Sequence, residues 1–275
     1  MVKCGTWPVG VCSWSLQRDI PGVVDAMKRL EIDHVHLDVG PACQENPSAY
    51  LDTVGRQEWT ISSTMIGFAQ EDYSSLEAIK KTGGIVPDAY WEGNKERFLK
   101  AIEATAALQV PYLSSHFGFL DMSEPSYAET IIQRVRLLAD AAAASNVVLL
   151  METGQESAEE LRDFLEALNH PALGVNFDPA NMIMYNMGDP LDGIRVLAPW
   201  VKHVHIKDAV TTDQPELLGP EVVWGTGKVN AEKFLTTLKN TGYNGVLAVE
   251  REAGQDRFED IQKAVAQLKS FSQSQ

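Results

Sequence analysis

The sequence predicts an α/β chain folded as a (β/α)8 TIM barrel, and three observations carry that expectation. Short apolar runs alternate with helix-length amphipathic stretches along all 275 residues. Eight such runs can be counted, where an open doubly wound sheet usually has five or six. The last four runs end on or beside a group able to bind a metal ion: Glu152 closes VVLLME, Asp178 closes LGVNFD, His205 lies near the end of HVHIKD, and Glu250 closes VLAVE. Inside a parallel sheet covered on both faces, a charge is costly unless paired or coordinated. Four such residues at four strand ends therefore ask for a common partner.

The elements follow in order. Residues 9–14 (VGVCSW) read as a first strand, and 21–30 as a helix opened by Pro21, with Val23, Val24, Met27 and Leu30 on its apolar face. HVHLDVG (34–40) alternates Val35, Leu37 and Val39 with His34, His36 and Asp38; with the apolar set against the helices, His36 and Asp38 point into the barrel. TISSTMIGF (60–68) is a third strand. The polar stretch 70–94, containing TGG and Pro87, is too long for an ordinary βα connection and is expected to form a flap over the site. A helix over 95–108, a fourth strand over 110–116 (VPYLSSH) and an Ala- and Leu-rich helix over 127–144 come next. The remaining strands are expected at 147–152, 174–178, 203–207 and 246–250, with helices over 158–168, near 190–197, over 231–240 and over 257–271. A Gly-rich loop, WGTGKVN, follows the seventh strand, and a polar tail, SQSQ, ends the chain. Neither a linker nor a short-period repeat interrupts the pattern, so one domain over 1–275 is expected.

Composition narrows the function. With 23 basic against 38 acidic residues the net charge is −15, which repels nucleic acids and anionic membrane surfaces and favours a small, neutral substrate. No apolar run reaches the length of a membrane span. Cys4, Cys12 and Cys43 match neither a disulfide framework nor a zinc knuckle, and the N-terminus lacks a signal peptide's apolar core; a reducing, cytoplasmic setting is expected.

Barrel active sites lie at the C-terminal ends of the strands, where the four residues sit. Alternation puts Glu152 on the face of Val148 and Leu150, Glu250 on that of Val246 and Ala248, Asp178 with Asn176, and His205 with His203, so all four can face the axis. Three carboxylates and an imidazole form a hard, oxygen-rich set suited to one Mn²⁺ or Mg²⁺ ion and able to take Co²⁺ or Zn²⁺, with positions left for substrate oxygens.

METGQE, NFDPAN, HVHIKDA, GTGKVN and VEREAG, with GFAQEDYSSLEAIKKTGG before them, resemble the xylose isomerase-like barrels of the sugar phosphate isomerase/epimerase family. That family also includes ketose 3-epimerases, hydroxypyruvate isomerase, inositol-catabolism enzymes and endonuclease IV. The resemblance covers nearly the whole chain. It implies that Glu152, Asp178, His205 and Glu250 hold the metal, that Glu152 and Glu250 also exchange protons with a carbohydrate, and that the chain forms a homodimer or homotetramer. Two positions depart from the epimerase pattern: Asn181 stands where a His is usual, and Thr211 where an Arg is usual.

The implied chemistry is removal of the proton beside a sugar carbonyl to give an enediolate that the metal stabilises. Return of the proton to the opposite face gives an epimer, and transfer between carbons an isomer. Loss of a β-substituent makes a lyase or dehydratase acting on a 3-keto-sugar or inositol derivative.

Other side chains have two readings each. An acidic strand end, taken alone, reads as an N-cap. His116 binds substrate or is a core histidine. Lys207 binds a substrate hydroxyl or bridges to Asp208 or Glu250. Glu156 binds a hydroxyl or starts the next helix. Trp14 and Trp224 stack on a sugar or fill the core. His36 and Asp38 reach the site, whereas His34 and His203 are structural. Gly225 and Gly227 hold phosphate or turn the chain. A nuclease would need further histidines and a basic groove; a non-catalytic sugar-binding protein would not need the quartet.

Overall fold

The structure, a computed structural model, describes residues 1–44 and 47–271. Eight parallel strands close on themselves: β1 (Trp7–Cys12), β2 (His34–Asp38), β3 (Thr60–Met65), β4 (Tyr112–Ser115), β5 (Val148–Glu152), β6 (Leu173–Phe177), β7 (Val201–Ile206) and β8 (Leu247–Val249). Each pairs with the next in the chain, and β8 returns to β1 with Leu247 opposite Val9. Gly10 permits the close approach of β1 and β2, since a Cβ there would lie 2.8 Å from the His34 carbonyl oxygen. Around the barrel run α1 (Ile20–Arg29), α2 (Pro47–Gly55), α3 (Leu76–Thr82), α4 (Trp91–Ala107), α5 (Pro125–Ala144), α6 (Ala158–Leu168), α7 (Pro179–Met184), α8 (Pro190–Leu197), α9 (Ala231–Asn240) and α10 (Arg257–Phe271).

Local chemistry sets the helix starts. Asp19 caps α1, its carboxylate accepting the Gly22 N–H at 3.0 Å. Ser157 and Glu160 form a capping box on α6, so Ser157, and not Glu156, begins that helix. The core lies between strands and helices, as where Phe177 of β6 stacks on Phe234 of α9 with ring centroids 6.0 Å apart. Trp224 joins it, edge-on to Phe234 and buried, which removes it from any sugar platform. No helix among the described residues is long and apolar enough to cross a membrane.

The outline matches the expected barrel, and the departures have physical causes. β1 starts at Trp7, and Trp14 lies beyond it in a 3-10 turn, Ser13–Leu16. The helix α2 escapes the periodicity because Val54 is its one buried residue among those described. The stretch 70–94 is not one open loop. Ser75 caps α3 by accepting the Ala78 N–H at 3.1 Å, and α4 already begins at Trp91. Arg134 of α5 donates to the carbonyls of Ile85 (3.0 Å) and Val86, tying the second half of the stretch to the barrel wall. The SQSQ tail, 272–275, lies outside the described residues.

Candidate active site

The fold brings Glu152, Asp178, His205 and Glu250 to one buried point at the C-terminal mouth, with one ligand atom from each within 4.8 Å of the others. His205 Nδ1 is the centre: it lies 3.3 Å from Glu152 Oε1, 3.3 Å from Asp178 Oδ2 and 3.2 Å from Glu250 Oε2. Donors about 2.1 Å from a common ion at right angles stand about 3 Å apart, so this spacing fits a small hard cation. Asp178 is cap and cluster member at once. Its Oδ1 accepts the N–H groups of Ala180 (2.8 Å) and Asn181 (2.9 Å) at the start of α7, leaving Oδ2 for the cluster.

The histidine tautomers are set from the opposite side of the barrel. His36 Nε2 lies 3.1 Å from the Thr64 carbonyl oxygen, which can only accept, so that nitrogen carries a proton. Burial, and then the charge of His205, push His36 down to about 3, so the ring is neutral and Nδ1 is an acceptor. His205 Nε2, 2.9 Å from that atom, is then its donor, with the Asn176 carboxamide, 3.1 Å from the same nitrogen, turned so that its oxygen and not its NH2 faces the ring. The outcome leaves His205 Nδ1, facing the three carboxylates, as the position for either a proton or a metal ion. Burial opposes charge on His205, yet the Cys12 sulfur, Glu250 and Glu152 hold it well above the usual histidine range. A cation is therefore strongly favoured at that point.

Burial raises carboxylate pKa values, and the neighbours answer it differently. At Glu250 the charges of Lys207 and His205 prevail and hold it well below the usual range; at Glu152 those of His116 and His205 lower it; Asp178 stays raised by burial despite Lys207. Lys207 Nζ donates to Glu250 Oε2 at 2.8 Å and to Glu252 Oε2 at 3.0 Å. It does not bridge to Asp208. That carboxylate instead accepts the N–H groups of Gly225 (3.0 Å), Gly227 (2.9 Å) and Val229 (3.0 Å) and folds the GTG loop round itself.

Above the quartet opens a cavity of ≈ 530 Å³, within the ~300–1,000 Å³ range of small-molecule sites. Trp14, Asp38, His116, Asn181, Lys207 and Glu250 line it. Trp14 Nε1 donates to Glu250 Oε1 at 2.8 Å, Asn181 Nδ2 to Glu152 Oε1 at 3.1 Å, and His116 Nε2 lies 3.7 Å from Glu152 Oε2. Glu156 is buried and does not line the cavity, and burial pushes its carboxyl up to about 8. His34 bonds Asp33 at 2.8 Å, and His203 lies between Ser62 Oγ (3.0 Å) and the Asn176 carboxamide (3.0 Å), both away from the cavity. Tyr73, Tyr185, Glu71, Glu252 and Arg257 also line it and went unread in the sequence. Alternation would have offered Glu252, two residues beyond Glu250; Glu71 and Tyr73 sit on a connection, and Tyr185 and Arg257 at helix ends, where periodicity singles out no site residue.

Comparison with known proteins bears on the fold and the family. The family described as Xylose isomerase-like TIM barrel matches residues 78–271. A xylose isomerase domain protein from Planctomyces limnophilus is 29% identical, with a TM-score of 0.88 over 98% of each chain. A D-tagatose 3-epimerase-like protein shares the fold at 17% identity, with a TM-score of 0.72 over 97% of each chain. The 3-dehydroshikimate dehydratase of Bacillus anthracis is 26% identical over 142 residues, 46% of this chain, and the match spans half (50%) of the dehydratase's own length.

Proposed function

The chain belongs to the xylose isomerase-like TIM barrel family, and from that premise we propose that it is a divalent-metal-dependent enzyme that isomerises or epimerises a keto-sugar by removing the proton beside the carbonyl. The convergence of three carboxylates on one nitrogen of His205, in a ring whose tautomer His36 and Thr64 determine, carries this reading. A Mn²⁺ or Mg²⁺ ion held by Glu152, Asp178, His205 and Glu250 would acidify the carbon between two adjacent substrate oxygens.

The chain's own groups do the rest. Glu152 Oε2 has no hydrogen-bond partner among the described residues, and so is the oxygen free to accept the substrate proton. Asn181 holds the other oxygen of that carboxylate in place. Trp14 and Lys207 fix both oxygens of Glu250 and keep it ionised. Met65, Met184 and Leu218 give the cavity apolar walls that keep water from the reacting carbon.

A second reading, loss of a β-hydroxyl to make a dehydratase of a 3-keto-sugar or inositol derivative, has a specific observation in its favour. Epimerisation by two bases needs two available carboxylates, and Glu250 has both oxygens engaged while Glu152 does not. Both readings share the first step and are tested together. Keto-sugars and inososes incubated with the Mn²⁺-loaded protein in deuterated water should exchange the proton beside the carbonyl, in a chelator-sensitive way. Formation of an epimer or isomer against an unsaturated product then separates them. If no member of the panel exchanges, the enediolate chemistry is wrong.

A further inference from the structure

One wall of the cavity carries polar groups that the proton transfer leaves unused. Tyr185, at the end of α7, lines the cavity and is 3% exposed, yet its hydroxyl finds no hydrogen-bond partner among the described residues. Gln155, 4% exposed, stands behind that wall and does not line the cavity; its Nε2 amide also lacks a partner at full hydrogen-bond geometry, but it lies close enough to the Tyr185 hydroxyl to act as a donor toward it. Gly154 brings them together with Glu152. At φ +149° it has no Cβ, and one placed there would stand 2.7 Å from Asn181 Cβ and 3.2 Å from the Tyr185 ring. Asn181, in turn, bonds Glu152. The Tyr185 hydroxyl thus lies within reach of the Gln155 carboxamide and within electrostatic range of Lys207, Glu71 and Glu152.

Buried polar groups without partners are uncommon in folded proteins and call for a ligand that completes them. A phenol both donates and accepts, a carboxamide N–H only donates, and the spare Glu152 oxygen only accepts. With the Gln155 N–H turned to the phenol oxygen, the Tyr185 O–H is left to donate, and an alcohol can accept it while donating to Glu152. A phosphate or carboxylate offers oxygens alone and would enter a cavity lined by Asp38, Glu71, Glu250 and Glu252 against Lys207 and Arg257, with Lys207 already shared between two glutamates. The loop after β7, where barrels of this kind commonly hold phosphate, is closed to it as well. Asp208 occupies its N–H groups, and a Cβ on Gly227 would come within 2.3 Å of Asp208 Oδ1.

We propose that Tyr185, oriented from behind by Gln155, forms a hydroxyl-reading subsite beside Glu152 that selects an uncharged polyhydroxy sugar over a phosphorylated or carboxylated one. The inference rests on the reading of this cavity as a sugar site. The test uses the full-length Mn²⁺-loaded protein, calorimetric titration with neutral ketoses (D-fructose, D-tagatose), myo-inositol and D-fructose 6-phosphate, and melting curves. The neutral compounds should bind at least about tenfold more tightly than the phosphate, and Tyr185→Phe and Gln155→Met should each weaken them about tenfold. Neither variant should melt markedly lower, because neither deletes a hydrogen bond of full geometry in the free protein. Unchanged affinity in both variants, preference for the phosphate, no binding of any neutral compound, or a fall of melting temperature together with affinity in both variants would each overturn the subsite. Deuterium exchange on the same samples separates this from the chemistry. Selective binding of neutral sugars without exchange keeps the subsite and sinks the proton transfer; exchange confined to the phosphate does the reverse.

Discussion

The two halves of the barrel contribute in different currencies. β5 to β8 each deliver a ligand within one residue of the C-terminal end, and the charges of Glu152, Asp178, His205 and Glu250 meet there. β1 to β4 deliver none of the quartet. Besides His116, whose charge acts on Glu152, and Cys12 beside His205, they reach the centre through neutral groups and hydrogen bonds: His36 of β2 reaches His205 Nε2 at 2.9 Å, and the Thr64 carbonyl of β3 fixes which nitrogen of His36 holds a proton. One half supplies the charge that attracts a cation. The other decides which imidazole atom faces it.

Replacing a charge in the second half should have the largest effect. Glu152→Gln should lower the exchange rate by about 10²–10⁴-fold, the range of a lost general base, and chelation of the wild type should abolish exchange. Retention of wild-type turnover in Glu152→Gln would end the division drawn above. Asp208 sharpens it, as a charge in the same half with a different task. Asp208→Ala should leave the N–H groups of Gly225, Gly227 and Val229 without their acceptor and cost about 3 kcal/mol, read by urea denaturation. A variant as stable as the wild type would mean that the loop holds its shape without that carboxylate.

This contrast also explains what can be read from the sequence. The four ligands stand out because a carboxylate or imidazole that closes an apolar run breaks the pattern of a buried strand, and the eightfold alternation supplies the barrel. His36 can be pointed inward by alternation, but its partner is 169 residues away, so its role needs the closed barrel. Asp178 could be read as cap or ligand, and the structure gives one oxygen to each. Trp224 could be read as a sugar platform, but packing against Phe234 decides its place, and packing between distant elements leaves no local signature. Tyr185 closes a helix of six residues, too short to show a period.

From the first half, His36→Phe tests the tautomer argument. It keeps a planar ring and removes the acceptor of the His205 N–H, so metal affinity should fall about 10- to 100-fold by calorimetry, as for other groups that orient a metal-bound histidine. Unchanged affinity would show that His205 needs no help from β2.

An effect graded with pH is expected at Glu156, behind the cavity. Its folded carboxyl titrates at about 8 against an ordinary 4.5, because burial penalises the charged form. The neutral carboxyl's contribution is fully present below pH 4.5 and is lost as pH rises through 8, so stability should fall across that window by about 1.4 kcal/mol per unit. Glu156→Gln should flatten the decline, seen as denaturation midpoints that diverge in its favour from pH 6 to 8. Parallel curves would remove Glu156 from the account.

The finest difference lies within the flap of the first half. Residues 84–94 are anchored: Arg134 holds the Ile85 and Val86 carbonyls, and Asn94 donates to the Gly84 carbonyl at 2.7 Å. Residues 70–82 instead cross the mouth, where Leu76 N–H donates to the Glu216 carbonyl at 2.9 Å on the loop after β7, and Tyr73 lines the cavity while 42% exposed. A sugar lodged beneath Tyr73 would give that segment a surface to close on, whereas the anchored part has little left to gain. Amide exchange should therefore slow over 70–82 when a bound sugar saturates the protein, and change little over 84–94. Equal slowing of both parts would make the flap a single rigid body, and no slowing in either would mean that it does not respond to the ligand at all.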